Sequence, residues 1–283
     1  MSYKPLRRNS KINVGVIIGI IGFGLFIVGV VGGLIYYFSQ PTPQFDKTSL
    51  CPIVDGKISP KNNLVFLIDA TDPLSENQKD FVKIEMEKII QSQEPGTLVS
   101  IYYMSDETPV QRTPQFCLCT VPDGSKANKF TENEALMHKR FEKNFAKPLK
   151  AQLEHLDEVR KPSKVSNIFE QIQALSVNSF LKYPTDGVKE LYVFSDMLHN
   201  SKEFTLYSKN QSFDSLKKSS YYAQVRSQLR GVDVTAFFFA NQPKFQTNRN
   251  VIFWEKFFND IGAALVKVEP IVREDASGTY RWA

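Results

Sequence analysis

The stretch NNLVFLIDATDPLSENQ (Asn62–Gln78) decides the fold. It opens with an apolar run that ends in Asp69, which is the pattern of a buried strand. A hydroxyl, an aspartate and a proline follow, and Ser75 with Gln78 three residues later forms a capping box that predicts the start of a helix. A buried strand, a short turn and a helix make the repeating unit of an α/β sheet.

The rest of the chain repeats this alternation. Helices are predicted at Ser75–Gln93, Ser166–Leu181, Phe213–Leu229 and Arg249–Gly262, and further strands at Thr97–Met104, Val188–Ser195, Val232–Ala240 and Ala264–Val268. An edge strand is expected at Gln115–Thr120, and a long helix from Thr131, capped by Glu134, should break near Lys147 because Pro148 lacks an amide proton. We therefore predict a doubly wound, mostly parallel α/β sheet with helices on both faces.

A transmembrane helix is predicted before this domain. Residues 12–38 are uncharged and almost wholly apolar, and about 20 helical residues suffice to cross the hydrocarbon core. No small-residue cleavage site follows Phe38, so we expect a retained anchor that binds the membrane. The boundaries that follow are a basic tail at 1–11, a Pro-rich linker at 39–61, the α/β domain at 62–270 and a C-terminal tail at 271–283.

The charge distribution predicts the orientation. Four basic residues precede the span: Lys4, Arg7, Arg8 and Lys11. The positive-inside rule then keeps the N-terminus in the cytoplasm and places the domain outside the cytoplasmic (inner) membrane, which is the periplasm in a Gram-negative cell. Since these residues supply most of the net charge of +5, the remainder is nearly neutral, and no nucleic-acid partner is expected.

The span also contains two pairs of glycines with four-residue spacing, Gly15 with Gly19 and Gly29 with Gly33. Each pair lies on one helix face, where another helix can approach closely. The pairs favour self-association or a membrane partner, while the motif arises by chance in many glycine-rich spans.

The ends of the parallel strands give the candidate site, because ligands of open α/β sheets bind outside the carboxyl ends of the strands. Asp69 and Thr71 follow the first strand of the domain, Ser166 opens a helix in SNIFEQI, and Asp196 closes the strand LYVFSD. This order of elements and residues resembles the von Willebrand factor type A (vWA) family. That family holds a divalent cation at a metal-ion-dependent adhesion site written D-x-S-x-S, which a Thr and an Asp from later loops complete.

The resemblance covers about Leu64 to Pro270 and implies a Mg²⁺ or Mn²⁺ site built from Asp69, Thr71, Ser166 and Asp196. Carboxylate and hydroxyl oxygens suit these hard cations. Pro73 stands where the second hydroxyl belongs and supplies no ligand, so a degenerate site that only caps loop amides is the alternative.

Two functions follow. The first is a membrane-anchored vWA-like protein-interaction module, part of an envelope-associated assembly, that docks a protein partner at the carboxyl rim through Mg²⁺. The second is a membrane-tethered hydrolase with an unrecognised active site. The sequence has no nucleophile elbow, P-loop or dinucleotide motif, and Thr71 stands where an aspartyl phosphotransferase needs its second carboxylate. His199 is read as an ordinary loop histidine, and no catalytic residue is predicted.

The chain has three cysteines, Cys51, Cys117 and Cys119. Outside the cytoplasm a disulfide is allowed, and Cys51 paired with Cys117 or Cys119 is the expected bridge. A three-thiolate metal site lacks a fourth ligand and the usual C-x-x-C spacing. Three free thiols are the remaining alternative.

Overall fold

The computed structural model describes residues 14–39, 44–104, 110–129, 131–158, 162–208 and 211–271. The chain divides into two units, Met1–Pro43 and Gln44–Ala283. The predicted basic tail, with Lys4, Arg7, Arg8 and Lys11, lies outside the described residues, as does the C-terminal tail from residue 272.

The first unit contains one helix, α1 (Val14–Ser39). Its segment Ile18–Tyr36 is long and apolar enough to cross a membrane, and none of that segment is buried inside the protein. All four glycines of the two predicted pairs lie in this helix. A Cβ added at Gly19, Gly29 or Gly33 would meet no atom within 4 Å, so these positions are open to a second helix.

The second unit begins with a small antiparallel sheet of three strands and continues into the α/β domain. The strands are β1 (Gln44–Phe45), β2 (Pro52–Val54), β3 (Lys57–Ile58), β4 (Asn63–Asp69), β5 (Leu98–Met104), β6 (Phe116–Cys119), β7 (Lys189–Ser195), β8 (Asp233–Phe239) and β9 (Ala264–Ile271). The helices are α2 (Glu76–Gln91), α3 (Glu134–Phe141), α4 (Lys147–Glu154), α5 (Ile168–Leu175), α6 (Phe213–Lys217), α7 (Ser220–Val225) and α8 (Asn248–Asp260).

Strands β4 to β9 form one six-stranded sheet in the order β6-β5-β4-β7-β8-β9. Every neighbouring pair is parallel except β5 and β6, which are antiparallel. After β4 the chain adds β5 and β6 on one side of the sheet and then β7, β8 and β9 on the other side. The carboxyl ends of β4 and β7 therefore border a topological switch point. The predicted doubly wound, mostly parallel fold is confirmed.

Helices cover both faces of this sheet. Strand β4 is buried at every position, because its alternate side chains enter two different cores. Val65 and Leu67 pack with residues of α5 to α8, whereas Phe66 and Ile68 pack with residues of α2 and α4. A strand that is apolar at almost every position, such as β4, is therefore stable in the centre of the sheet, where helices cover both of its faces.

The long helical region breaks where the proline predicts it. A π-helical segment, Glu142–Ala146, separates α3 from α4, and Pro148 lies in the first turn of α4. The proline has no amide proton to bond back to the preceding turn, and the widened segment accommodates that loss. The predicted helix start at Thr131, with Glu134 completing the cap, is wrong: α3 begins at Glu134, and Asn133 caps it by accepting a hydrogen bond from the Leu136 amide at 2.9 Å.

Further differences concern the helices. A second π-helical segment, Ser176–Leu181, continues α5, and the predicted helix at Phe213–Leu229 is two short helices, α6 and α7. The predicted start of α2 is confirmed: the Ser75 amide donates to Gln78 Oε1 at 3.1 Å.

A disulfide joins Cys51 to Cys119. It ties the segment before the domain to the end of edge strand β6, and both cysteines are fully buried beside Leu98. Cys117 is a free thiol of β6, and burial raises its pKa. Of the two pairings left open by the sequence, the structure contains the one with Cys119.

Candidate functional site

Three loops meet at the carboxyl edge of the sheet. The turn after β4 is joined to the segment before α5 by a hydrogen bond from the Ser163 amide to the Thr71 carbonyl, at 2.9 Å. The segment before α5 is also joined to the loop after β7, since Ser166 and Asn200 exchange two backbone hydrogen bonds of 2.9 and 3.0 Å. The loops that carry Asp69, Thr71, Ser166 and Asp196 are therefore held together by backbone contacts.

Asp69 ends β4 and is buried. Its Oδ1 accepts hydrogen bonds from the Thr71 amide at 3.0 Å and from Thr71 Oγ1 at 2.6 Å. Its Oδ2 accepts one from Ser195 Oγ at 2.7 Å. Both oxygens are thus fixed in orientation by donors from β7 and from the turn after β4.

Asp196 follows β7 and is also buried. Its Oδ1 accepts a hydrogen bond from the Leu198 amide at 2.8 Å, and the Tyr207 hydroxyl bonds the same carboxylate. Its backbone carbonyl accepts a hydrogen bond from Gln246 Nε2 at 2.8 Å. Hydrogen bonds from three residues therefore hold Asp196 in the turn after β7.

Both carboxylates have raised pKa values. Burial raises the pKa of Asp69 above its ordinary value, and hydrogen bonds from Thr71 and Ser195 oppose that rise. The pKa of Asp196 is raised well above its usual range, first by burial and then by the negative charge of Asp69. Two buried carboxylates of this kind need a proton, a cation or further donors between them.

The hydroxyl of Ser166 has the property expected of a ligand. Ser166 is buried, and its Oγ has no hydrogen-bond partner among the described residues. The two carboxylates and the hydroxyls of Thr71, Ser166 and Ser195 are oxygen donors of the chemical type that Mg²⁺ and Mn²⁺ prefer. Only two of these donors are charged carboxylates. The described residues contain no cluster of three or more Asp, Glu, His or Cys side chains able to hold a metal ion.

Pro73 and Asp72 lie beside these residues. Both line a cavity of about 130 Å³ together with Lys79 and Leu156. Asp72 adds negative charge at the edge of the sheet, because it raises the pKa values of both Asp69 and Asp196. Its carboxylate strengthens the attraction for a cation, whereas Pro73 contributes no oxygen from its side chain.

Sequence reasoning missed three residues of the site. Ser195 donates to Asp69 and also accepts a hydrogen bond from the Met197 amide at 2.9 Å. Tyr207 contacts Asp196 from a loop with no strand or helix pattern, and burial followed by the charge of Asp196 raises its pKa. Met197 has a φ of 56°, a conformation rare outside glycine, which turns the chain sharply after Asp196. Of these three residues, only Ser195 could have been suspected from the sequence, because it directly precedes the predicted site residue Asp196.

His199 is not a histidine of the exposed loop surface. It is fully buried, and its ring lies 4.2 Å from that of Phe169, centroid to centroid. Its Nε2 lies 3.1 Å from the Tyr221 hydroxyl, which itself donates to Glu170 Oε1 at 2.6 Å. Burial lowers the pKa of His199 to about 3, so the ring is neutral at physiological pH. It belongs to the core under the rim.

The chain matches no family model and no curated protein. Among solved structures it is similar to the VWA domain of SpRpn10, with a TM-score of 0.40, 10% identity, and coverage of 76% of this chain and 90% of that one. It is also similar to proximal thread matrix protein 1 from the mussel byssus, which has a zinc-occupied MIDAS motif (TM-score 0.37, 14% identity, coverage 75% and 42%). A third is BatB from Bacteroides thetaiotaomicron, a conserved hypothetical protein (TM-score 0.35, 11% identity, coverage 76% and 92%). The likeness is one of fold.

Proposed function

We propose that this chain is a membrane-anchored vWA-like interaction module that docks a protein partner at the carboxyl edge of its sheet through a bound Mg²⁺ or Mn²⁺. One observation carries the proposal: Asp69 and Asp196 are buried at the ends of the neighbouring strands β4 and β7 with raised pKa values, and the buried Ser166 hydroxyl, on a loop joined to the one after β7, has no hydrogen-bond partner among the described residues. A cation removes the repulsion between the carboxylates and gives that hydroxyl a partner.

A cation held in this way also accounts for partner binding. The donor set of two carboxylates and a few hydroxyls leaves coordination positions for water or for a carboxylate of the partner. Pro73 removes one hydroxyl from the pattern of the family, so the cation binds weakly and the partner's carboxylate completes its coordination. The module serves an envelope-associated assembly, and α1 holds it at the cytoplasmic membrane.

Two observations support a location of the domain outside the cytoplasm. Basic residues precede the apolar segment, which favours a cytoplasmic N-terminus. The Cys51–Cys119 disulfide requires an oxidising compartment to persist. Self-association through the glycine pairs of α1 is compatible with such an assembly.

The cation is tested by thermal unfolding of the full chain in detergent micelles with increasing Mg²⁺. For a Kd of about 1 mM, about 10 mM Mg²⁺ should stabilise the folded domain by about 1.4 kcal/mol. Asp69→Asn should abolish this effect and keep the fold, because the amide oxygen still accepts from Thr71 while the charge is lost. A melting curve that Mg²⁺ and Mn²⁺ leave unchanged would refute the cation.

Docking is tested separately by crosslinking in intact membranes and identifying the captured proteins. Asp69→Ala and Asp196→Ala should each lose the partners that the wild type captures. The matched control is Asp233→Ala, since Asp233 is an exposed aspartate at the opposite, amino end of β8. If the rim variants and the control capture the same proteins, the partner does not dock at the carboxyl edge.

A further inference from the structure

The helical region from α3 to α4 carries a row of exposed cations. Its exposed Lys and Arg side chains are Lys139, Arg140, Lys143, Lys147 and Lys150. The four lysines follow one another at intervals of four, four and three residues, and the arginine precedes the second lysine by three. Residues three or four apart lie on the same side of a helix, so these side chains form one surface, here called the cationic face.

The opposite side of the region is held by the core. Phe145, Leu149 and Leu153 are buried and belong to the same apolar cluster as residues of α2 and of the sheet. Phe141 is half-buried against that cluster. These contacts fix the rotation of the region about its axis, and they keep the cationic face turned towards the solvent.

The protein does not neutralise the charge of the cationic face. No ion pair joins any of its side chains to another described residue, whereas two lysines of α2 each pair with a glutamate three residues earlier. Between residues 135 and 153 the one acidic side chain is Glu142, while Glu134 and Glu154 lie at the two ends. Five cations against one carboxylate leave a surplus of four positive charges.

An exposed apolar side chain extends the cationic face at its amino end. Leu136 is 44% exposed, and it precedes Lys139 and Arg140 by three and four residues, on the same side of α3. No residue of α3 is buried, so this helix lies at the surface of the domain. A leucine beside a row of cations is typical of helices that lie in a membrane interface, where the apolar side chain reaches the acyl boundary and the cations contact the headgroups.

We propose that the cationic face lies on an anionic lipid bilayer, with its five cations on headgroup phosphates and Leu136 between the headgroups. The attraction grows with each Lys or Arg near the membrane and falls off within about 10 Å at 0.1 M salt. A headgroup layer fits this surface better than a protein partner does. The cations are spread along a helix with a single exposed leucine, whereas a protein interface centres on a packed apolar cluster.

The contact goes beyond the proposed function and uses only its membrane anchor. Because α1 tethers the chain to a bilayer, the second contact with lipid is intramolecular in effect, and a modest attraction suffices. Neither Asp69 nor Asp196 takes part in it, so it does not depend on a bound divalent cation.

Lysine acetylation of the full chain in lipid nanodiscs tests the contact. The discs contain phosphatidylcholine alone or with about 30% phosphatidylglycerol, which makes the surface anionic. The reagent is an uncharged N-hydroxysuccinimide ester of acetate, EDTA removes divalent cations, and mass spectrometry gives the rate at each lysine. Co-elution of the chain with the discs reports the anchor alone, so a failure of the anchor is distinguishable from a failure of the cationic face.

The headgroups should shield the ammonium groups of the cationic face. Lys139 and Lys150 should be acetylated about fivefold more slowly in the anionic discs than in the neutral discs, and high salt should remove the difference. Lys218 is exposed at the end of α6, on the other face of the sheet, and should react at the same rate in both kinds of disc. Equal rates for Lys139 and Lys150 in the two kinds of disc would overturn the proposal.

Two double variants separate the cationic face from the total charge. Lys143→Gln with Lys147→Gln removes two exposed cations from the middle of the face, and the protection of Lys139 and Lys150 should be lost. Lys218→Gln with Lys256→Gln removes the same charge at α6 and α8 and should keep that protection. Equal protection in the two variants would contradict the proposal. Protection in native membranes but not in anionic discs would also overturn it, and would assign the face to an acidic protein.

Discussion

Replacing His199 by phenylalanine should make the domain less sensitive to mild acid. The ring is fully buried among aromatic side chains, and burial lowers its pKa from 6.5 to about 3. Protonation therefore costs much more in the folded protein than in the unfolded chain. As the pH falls below 6.5, the unfolded chain takes up a proton that the folded protein refuses, and stability is lost progressively towards pH 3.

The magnitude follows from the two pKa values. Between pH 7 and pH 5 the unfolded imidazole becomes almost fully protonated while the folded ring stays neutral. Each pH unit in that range contributes up to 1.36 kcal/mol, so His199 should reduce the free energy of unfolding by about 2 kcal/mol over this interval. Glu170 and Asp196 act with the opposite sign, because their raised pKa values favour the folded state at lower pH.

His199→Phe suits this test because it keeps an aromatic ring against Phe169. The Tyr221 hydroxyl retains its hydrogen bond to Glu170. The substitution also removes Nδ1, a buried nitrogen with no hydrogen-bond partner among the described residues. The variant should therefore fold, and the surroundings of Glu170 and Asp196 should be little changed.

The assay is urea unfolding of the full chain in detergent micelles, followed by tryptophan fluorescence at pH 7 and pH 5. The contributions of Glu170 and Asp196 cancel when the pH-dependent loss in the variant is subtracted from that in the wild type. The wild type should lose about 2 kcal/mol more than His199→Phe. If the two proteins lose the same amount within about 0.5 kcal/mol, the imidazole is not held neutral by the core, and the reasoning fails.

The remaining predictions concern the rim, the disulfide and the topology. Pro73→Ser should lower the Mg²⁺ concentration that gives half-maximal stabilisation, because it restores a hydroxyl ligand; an unchanged midpoint in thermal titration would contradict this. Ser195→Ala should destabilise the domain by about 2 kcal/mol in urea unfolding, since Asp69 loses a buried hydrogen bond. Cys119→Ser should cost about 4 kcal/mol of unfolding free energy, because the lost bridge joins residues 68 positions apart; equal stability under oxidising and reducing conditions would argue against the bridge. Alkaline phosphatase fused to the C-terminus should be active, and activity of a cytoplasmic reporter there would reverse the orientation.

The parallel sheet could be predicted because its signals are local. A continuous apolar strand such as β4 is stable only when both faces are covered, and the turn after Asp69 opens a helix with its own cap. The carboxyl ends of parallel strands share one edge of the sheet, which places Asp69 and Asp196 at the same rim. The break before Pro148 was predictable for an equally local reason, the missing amide proton.

Other features depend on contacts distant in sequence. Ser195 shows its role only when β7 lies beside β4, since its hydroxyl bonds Asp69, 126 positions away. The burial of His199 depends on Phe169 of α5 and Tyr221 of α7, whose rings contact it although both residues are distant from it in sequence. The cap of α3 was misassigned because Thr131 and Asn133 both satisfy the N-cap preference, and the choice depends on the preceding loop.

The Cys51–Cys119 bridge has a mechanical consequence. Tension applied to the chain at Gln44 reaches Cys51 first and passes through the covalent bond into β6, which is held laterally by antiparallel hydrogen bonds to β5. The segment between Cys51 and β4 is spared from stretching as long as the bridge is intact. Force between the rim and Gln44 would then leave the domain through β6 and not through the amino end of β4, so β4 would not be peeled from that end while the bridge holds.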